Sequence, residues 1–165
     1  RVEAHRDGLD FAPLPPFPFV PEIPHAAARF EVTVDDGDVV PGDGYADFAR
    51  PFRTIEDIYV QAAVAAYVLR LARAGRASRV LVSRLAAHLA TLRHLATFAP
   101  EAPAVHVALA GATATLQVVL DELFTTIELD QATRTAWERD RKLLSVAGRV
   151  RARRLDKAWK DLAGP

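Results

Sequence analysis

Apolar side chains recur every three or four residues from Thr54 almost to the C-terminus, which is the spacing of one face of an α-helix. Short polar or proline-containing connections divide this part of the chain into four stretches. Helix-start signals stand before or at the head of these stretches, at Thr54, Ser78, Pro103 and Asp130. The pattern predicts a mainly α protein whose core is an antiparallel four-helix bundle.

Local signals also predict where each helix begins and ends. Asp57 stands three residues after Thr54, at the capping-box position, and Gly75 is expected to be the C′ residue that follows the end of the first helix. The last helix is expected to be continuous. The four helices are expected at about residues 55–74, 79–98, 103–127 and 131–162.

Residues 1–28 contain most of the prolines, in the stretch FAPLPPFPFVPEIPH. Each proline fixes its own φ angle and pushes the preceding residue away from the helical region. We therefore expect an extended, irregular segment. Its interleaved Phe and Ile side chains favour packing against the helices or against another domain, and the PxxP-like spacing leaves a ligand for a proline-binding module as the alternative.

Period-two alternation follows the proline-rich segment. Phe30, Val32 and Val34 alternate with polar residues, which predicts a half-buried strand, and Asp36-Gly37 supplies a turn before a possible return strand at residues 39–40. One or two short strands do not form an independent sheet. We expect residues 1–50 to be this extended segment with the remnant of a β-domain, and residues 51–165 to be a helical domain.

Composition excludes several classes of protein. The chain has no cysteine, which excludes disulfide scaffolds, zinc fingers and thiol enzymes and is compatible with a reducing cytoplasm. Neither a targeting segment nor an apolar run long enough to cross a bilayer is evident. We therefore expect a cytoplasmic protein that does not enter membranes. Because methionine is absent even at Arg1, we also expect the chain to be a portion of something longer.

Two passages carry a family resemblance: VPGDGYADFARPFRTIEDIYVQAAVAAYVLRLARAG at residues 40–75, and WERDRKLLSVAGRVRARRLDKAW at residues 137–159. Both resemble the flavin-dependent acyl-CoA dehydrogenases. The matching stretch, about 38–159, looks like the end of that family's β-domain followed by its C-terminal four-helix domain. The resemblance implies α,β-desaturation of an acyl-CoA thioester, in which a carboxylate removes the α-proton and the β-hydrogen leaves as hydride to FAD.

The resemblance also implies where the catalytic carboxylate would lie. The commoner position is a Glu-Gly pair shortly after an Arg-Asp pair, but here residues 145–148 read Ser-Val-Ala-Gly after Arg139-Asp140. The second position is near the start of the first C-terminal helix, where this chain has Glu56 and Asp57. These two are the candidate catalytic residues. Their other interpretation is purely structural, because acidic side chains in a first helical turn cap free amides.

The cofactor-binding residues are not defined by the sequence. The family's Arg-x-x-Phe-Gly signature has only a loose counterpart in Arg76 or Arg79, and Gln117 is not followed by the family's glycines. The family would bring FAD, an acyl-CoA substrate, and self-association or a complementary N-terminal chain. The competing hypothesis is a non-catalytic oligomerisation or interaction module with the same fold.

Other site types are disfavoured. His88 and His94 lie six residues apart and would not share the helix face that a metal pair needs, so no metal is expected. The basic last helix could contact nucleic acid, but acidic residues interrupt the basic run. Residues 1–60 carry 5 basic against 12 acidic side chains and residues 61–165 carry 16 against 9. We therefore expect that helix to face solvent or to pair with the acidic N-terminal part.

Overall fold

The computed structural model describes residues 7–164, so Arg1 and the rest of the first six residues, and Pro165, lie outside the described residues. Within that range the chain is mainly helical, with one two-stranded antiparallel sheet. The strands are β1 (Leu9–Pro13) and β2 (Ala26–Phe30). After one π-helical turn (Gly44–Ala49), the helices are α1 (Arg50–Ala74), α2 (Arg79–Leu95), α3 (Pro103–Thr126), α4 (Gln131–Asp140), α5 (Leu143–Val146) and α6 (Gly148–Ala163).

The first helix starts earlier than predicted. The Asp43 side chain accepts hydrogen bonds from the amides of Tyr45 (2.9 Å) and Ala46 (2.6 Å), and the π-helical turn that it caps runs directly into α1. Thr54 is therefore not an N-cap but a buried residue inside α1, and Asp57 is not at a capping-box position. The prediction missed this because the signal of Asp43 lies beyond Pro51, which is tolerated early in a helix.

Gly75 ends α1, but as the C-cap residue and not as the predicted C′ residue. Its amide donates to the Leu71 carbonyl at 2.8 Å, its φ is −81°, and the positive φ of 55° falls on Arg76. A Cβ atom at position 75 would lie 3.0 Å from the Glu128 carbonyl oxygen and 3.2 Å from the Ile127 Cβ atom. Glycine therefore eases the close packing against the connection between α3 and α4, since a larger residue would make these neighbours shift by a few tenths of an ångström.

Two predicted helix caps are confirmed. The Ser78 hydroxyl accepts a hydrogen bond from the Leu81 amide at 3.3 Å, and the Asp130 carboxylate accepts one from the Thr133 amide at 2.8 Å. Pro103 is the first residue of α3, also as predicted. These signals were readable because a cap depends only on residues within one turn.

The prediction of one continuous last helix is wrong, because α4, α5 and α6 replace it. The Ser145 hydroxyl donates to the Lys142 carbonyl at 2.7 Å, a local bond that competes with the helical pattern. Gly148, a poor helix former, then opens α6. The break turns the Leu144 carbonyl toward α6, where it meets Arg151.

The sheet also differs from the prediction. Phe30 pairs with Leu9 at the end of β2, and residues 31–35 and 39–40 form no strand. The proline-rich stretch 14–25 is the loop of this hairpin, and the Leu14 amide donates to the His25 carbonyl at 2.9 Å where the loop begins. Alternation predicted the strand too late because its bounds are set by a partner about twenty residues earlier in the chain.

The hairpin has an apolar face and a polar face. Leu9 lies opposite Phe30 and Phe11 opposite Ala28, and side chains on paired positions share a face. Asp10 and its partner Arg29 lie on the other face. Phe11 is 55% exposed and Phe30 is 61% exposed, so no described part of the chain covers the apolar face.

The core lies between the helices in two clusters. In the larger one, α1, α2 and α3 contribute buried Val, Leu and Ala side chains, and α4 contributes Trp137, whose ring stacks on Phe124 at 4.4 Å. The smaller cluster contains Ile58, Leu92, Leu95, Val105 and Leu109. Helix α1 contacts α2 and α3, whereas α6 packs mainly on α3.

One helix among residues 7–164, α3, is long and apolar enough to cross a membrane by length and composition, with a mean hydropathy of 1.5. The prediction that no such segment exists is therefore wrong. The prediction missed this segment because alanine, glycine and threonine separate its large apolar side chains. The helix nevertheless carries no Asp, Glu, Lys or Arg before Asp121. Core helices pass the same test, and α3 buries Leu109, Leu116 and Leu123 against its neighbours.

A polar contact holds the proline-rich loop to α4. The Asp140 carboxylate accepts the Val20 amide at 2.7 Å and two hydrogen bonds from Arg139, which also reaches the Glu22 carboxylate at 2.9 Å. Val20 adopts a φ of 41°, which β-branched residues rarely enter. The Arg139 hydrogen bonds lower the pKa of Asp140, burial opposes this, and the Val20 amide lowers the pKa further.

We expect this contact to be lost only in strong acid. Because the pKa of Asp140 is lowered in the folded protein, its contribution is complete above the ordinary Asp pKa of about 3.9 and disappears as the pH falls through the lower folded value. When NMR follows the chemical shift of the Val20 amide from pH 7 downward, that shift should change only below the ordinary Asp pKa of about 3.9. Asp140→Ala should move the Val20 amide resonance, at neutral pH, to the position that it has in the unmodified chain in acid. Asp161→Ala is the control and should leave that resonance unchanged. A Val20 transition above pH 4 would contradict this assignment.

Candidate functional site

The two candidate catalytic residues point in different directions. Glu56 is exposed, whereas Asp57 is buried at 5% exposure. Neighbouring residues on a helix lie about 100° apart, so only one of the two can face the interior. The structure therefore separates Glu56 and Asp57 instead of pairing them.

Asp57 forms a buried ion pair with the last helix. Its Oδ1 atom lies 2.6 Å from Arg151 Nη1, and both side chains are shielded from solvent, at 4% and 14% exposure respectively. Arg151 also donates through Nη2 to the Leu144 carbonyl. One guanidinium thus connects α1, the end of the α4–α5 segment, and α6.

A second polar contact extends from Asp57 to α3. Gln61 lies one turn further along α1, is completely buried, and donates through Nε2 to Asp57 Oδ1 at 3.3 Å. Its Oε1 atom lies 2.9 Å from the Thr113 hydroxyl, which also lies 2.7 Å from the Leu109 carbonyl. We call Asp57, Gln61, Thr113 and Arg151 the polar network. It connects α1, α3 and α6 in the interior.

One carboxylate atom of the polar network has no partner. Asp57 Oδ2 is buried and accepts no hydrogen bond from any described residue. A buried polar atom without a partner is costly. Asp57 Oδ2 also has the free lone pair that a general base needs to accept a proton. Asp57 nevertheless lines none of the described cavities that adjoin the network.

A cavity of about 730 Å³ opens beside the polar network, between α3 and the α4–α6 segment. Arg151 and Thr113 belong to both the network and the cavity wall. The apolar part of the wall comprises Ala110, Ala114, Leu116, Leu144, Ala152 and Leu155, and the polar part adds Gln117, Glu138, Arg141, Lys142 and Ser145. Apolar walls with a few charged groups suit a ligand that has an apolar body and an anionic end.

The loose counterparts of the family's cofactor residues do not come together. Arg76 lies in the turn after α1 and Arg79 starts α2, and both are exposed. Gln117 lines the cavity from α3 and donates to Asp121 at 2.9 Å. Neither arginine lines that cavity. The counterparts of the family's cofactor residues therefore do not form a common site for a dinucleotide.

The described residues contain no group of three or more His, Cys, Asp or Glu side chains that could hold a metal ion. His88 is buried on α2, where burial lowers its pKa and its Nε2 atom has no partner among residues 7–164. His94 is exposed and contacts the edge of the Phe98 ring. The two histidines lie in different surroundings.

Sequence reasoning missed part of the polar network. It counted Arg151 among the basic residues of the last helix but did not single it out, and it did not name Gln61 or Thr113. One signal was available: Asp57 and Gln61 are four residues apart and so share a helix face among small apolar residues. The partners on α3 and α6 depend on tertiary packing.

No protein-family model matches the chain, and neither the curated proteins nor the solved structures include a significant match.

The polar network predicts a large energetic coupling between α1 and α6. Arg151→Gln leaves the Asp57 charge buried without its partner and should lower the free energy of unfolding by about 3–5 kcal/mol. The double variant Asp57→Asn, Arg151→Gln should lose less than the sum of the single variants. Urea denaturation measures all three.

Arg149→Gln is the matched control, because Arg149 is exposed on the same helix and has no ion pair within the described range. It should change stability by no more than about 0.5 kcal/mol. Equal effects of Arg149→Gln and Arg151→Gln would show that the ion pair does not connect the two helices.

Proposed function

We propose that this chain is the C-terminal helical portion of an acyl-CoA dehydrogenase-like flavoprotein. Its four long helices would form an antiparallel bundle, and the whole protein would desaturate an acyl-CoA thioester between the α and β carbons. The remaining portions would supply most of the FAD-binding site, since the counterparts of the family's cofactor residues do not come together in this chain. Under this proposal, residues 1–50 contact those portions.

One observation carries the proposal: the two passages that resemble the family meet at a single side chain. Arg151 pairs with Asp57 in the first passage and with the Leu144 carbonyl, next to the 145–148 segment, in the second. These are the two positions at which the family places its catalytic base. Such convergence is expected if both passages derive from one active-site region.

Within this proposal, the chain contributes a buried carboxylate and the guanidinium that orients it. Asp57 Oδ2 is the free acceptor atom, and Arg151 holds the opposite oxygen. To act as the base, Asp57 must gain access to the cavity that Arg151 now borders. Glu56 is on the outer side of α1 and would reach a substrate only if that substrate were bound by another domain or chain.

The test is made on the native protein with any N-terminal portion that accompanies it. Bound flavin, read from absorbance, and intact mass establish whether the flavoprotein is assembled. Asp57→Asn should then lower acyl-CoA desaturation at least about 100-fold, the usual contribution of a general base. Glu56→Gln should leave it nearly unchanged.

Arg151→Gln separates chemistry from folding, because it breaks the same ion pair but keeps the carboxylate. A loss of activity in Asp57→Asn that exceeds the loss in Arg151→Gln, at equal flavin content, supports Asp57 as the base. Unchanged desaturation in both Glu56→Gln and Asp57→Asn removes these residues from the mechanism. A flavin-free protein without desaturation activity overturns the proposal.

A second candidate function is a non-catalytic module that associates with a second copy of itself. The uncovered apolar face of the hairpin, with Phe11 and Phe30 more than half exposed, favours it. The ion pair of Asp57 favours it as well. In the described structure Asp57 is the only buried carboxylate of α1, and it pairs with Arg151 away from solvent. Uncovered apolar faces of this kind commonly mark association surfaces.

Sedimentation velocity should then detect a dimer that depends on this face. Phe30→Lys places a charge on the apolar face and should shift the dimer to monomer. Val80→Lys is the control, since Val80 is also exposed, at 60%, but lies at the start of α2. A monomeric unmodified chain would contradict this second candidate.

A further inference from the structure

A second cleft lies on another side of the polar network and is strongly basic. It has a volume of about 390 Å³ and lies between the π-helical turn with the start of α1, the start of α3, and α6. We call it the basic cleft. Its charged and hydrogen-bonding side chains are Tyr45, Arg50, Arg53, Thr54, Glu101, His106, Arg153, Arg154, Lys157 and Asp161.

Most of the positive charge in the basic cleft is not neutralised. Five cationic side chains face two carboxylates, which leaves three positive charges before His106 is counted. Lys157 and Asp161 pair with each other at 2.7 Å. Within residues 7–164, the four arginines of the cleft have no carboxylate within ion-pairing distance, and the nearby Asp57 is taken by Arg151.

The arginines are close enough to disturb neighbouring groups. Burial lowers the pKa of His106, Arg154 and Arg50 lower it further, and Glu101 opposes them. Burial also lowers the pKa of Arg154, where Asp57 opposes the shift and Arg53 adds to it. Like charges from α1 and α6 therefore repel across the cleft, and a bound anion would relieve that repulsion.

We propose that the basic cleft binds a small molecule carrying a pyrophosphate or longer polyphosphate group. Arginines suit this role because a planar guanidinium donates two parallel hydrogen bonds to phosphate oxygens. Arg50 and Arg53 approach from α1, while Arg153 and Arg154 approach from α6. Two separate pairs of donors match two linked phosphates better than one orthophosphate.

The size and shape of the cleft favour a small ligand over nucleic acid. Its volume falls within the usual range for small-molecule pockets, about 300–1,000 Å³. Glu101 and Asp161 in its wall, and the exposed Asp156 beside it on α6, would repel a continuous phosphate backbone. This inference rests on the charges of the cleft alone and does not depend on the proposed function.

The test is isothermal titration calorimetry of the full chain with pyrophosphate, tripolyphosphate and orthophosphate. We expect saturable binding at one site, with tripolyphosphate bound more tightly than orthophosphate. The double variant Arg53→Gln, Arg153→Gln should bind tripolyphosphate at least about tenfold more weakly, because charged hydrogen bonds are lost from both sides of the cleft. Both side chains are exposed, so the fold should be retained.

The control Arg149→Gln, Lys160→Gln removes the same net charge from exposed positions of α6 outside the cleft wall. It should bind tripolyphosphate within about twofold of the unmodified chain at moderate salt. Equal weakening in the two double variants would overturn the proposal. It would show that tripolyphosphate binding depends on the net charge of the chain and not on the side chains of the cleft. Absence of saturable polyphosphate binding would also overturn it, as would binding of single-stranded or duplex DNA without a polyphosphate site.

His106 gives a readout that needs no substitution. An anion beside Arg50 and Arg154 should raise the pKa of His106, because it offsets the two guanidinium charges that now lower it. An NMR titration of His106 with and without tripolyphosphate measures this shift. An unchanged His106 pKa under saturating tripolyphosphate would place the ligand elsewhere and overturn the proposal.

Discussion

The buried ion pair between Asp57 and Arg151 is the interaction on which the arrangement of the helices depends. It joins residues 94 positions apart and connects the first long helix to the last. Only Ala158 of α6 is fully buried, so this helix contributes little apolar area to the core. It also packs on α3 and, to a smaller extent, on α5, and Arg154 donates to the Arg53 carbonyl of α1 at 3.5 Å. Without Arg151, α6 would lose its ion pair with α1, and Asp57 would be an uncompensated charge in the interior.

A buried polar contact of this kind restricts geometry more than it adds net stability, because desolvation offsets much of the attraction. The geometry here is demanding: Arg151 must reach both Asp57 and the Leu144 carbonyl, while Gln61 must reach both Asp57 and Thr113. The two contacts of the guanidinium therefore constrain both the rotation of α6 and the position of the α5 segment. The break near Gly148, which is unfavourable for a continuous helix, is the local feature that allows the Leu144 carbonyl to take part.

The parts of the fold that were predictable are those fixed within one helical turn. Ser78, Pro103 and Asp130 start their helices because a cap needs only nearby amides. Helical periodicity located α1, α2 and α3 but joined α4, α5 and α6 into one helix. Thr54 failed as a cap because a stronger cap lay upstream, and the strand near Phe30 was misplaced because its bounds depend on Leu9. At the site, Asp57 was named from a resemblance, whereas its partners on α3 and α6 required tertiary contacts that no local pattern encodes.

The charge asymmetry of the chain connects the polar network to the basic cleft. An acidic N-terminal part and a basic C-terminal part suggest mutual neutralisation, and Arg139 with Glu22 and Arg151 with Asp57 do pair across that division. Each pair, however, uses one acidic residue. The Asp57 carboxylate engages Arg151 through one oxygen and, within the described residues, pairs with no other arginine. Arg153 and Arg154 line the cleft together with Arg50 and Arg53, and none of the four forms an ion pair with a described carboxylate, although Glu101 and Asp161 lie in the same wall. The same ion pair that fixes α6 thus holds four arginines around one cleft and consumes the nearest buried counter-charge, so the remaining positive charge is available to an anion from outside the chain.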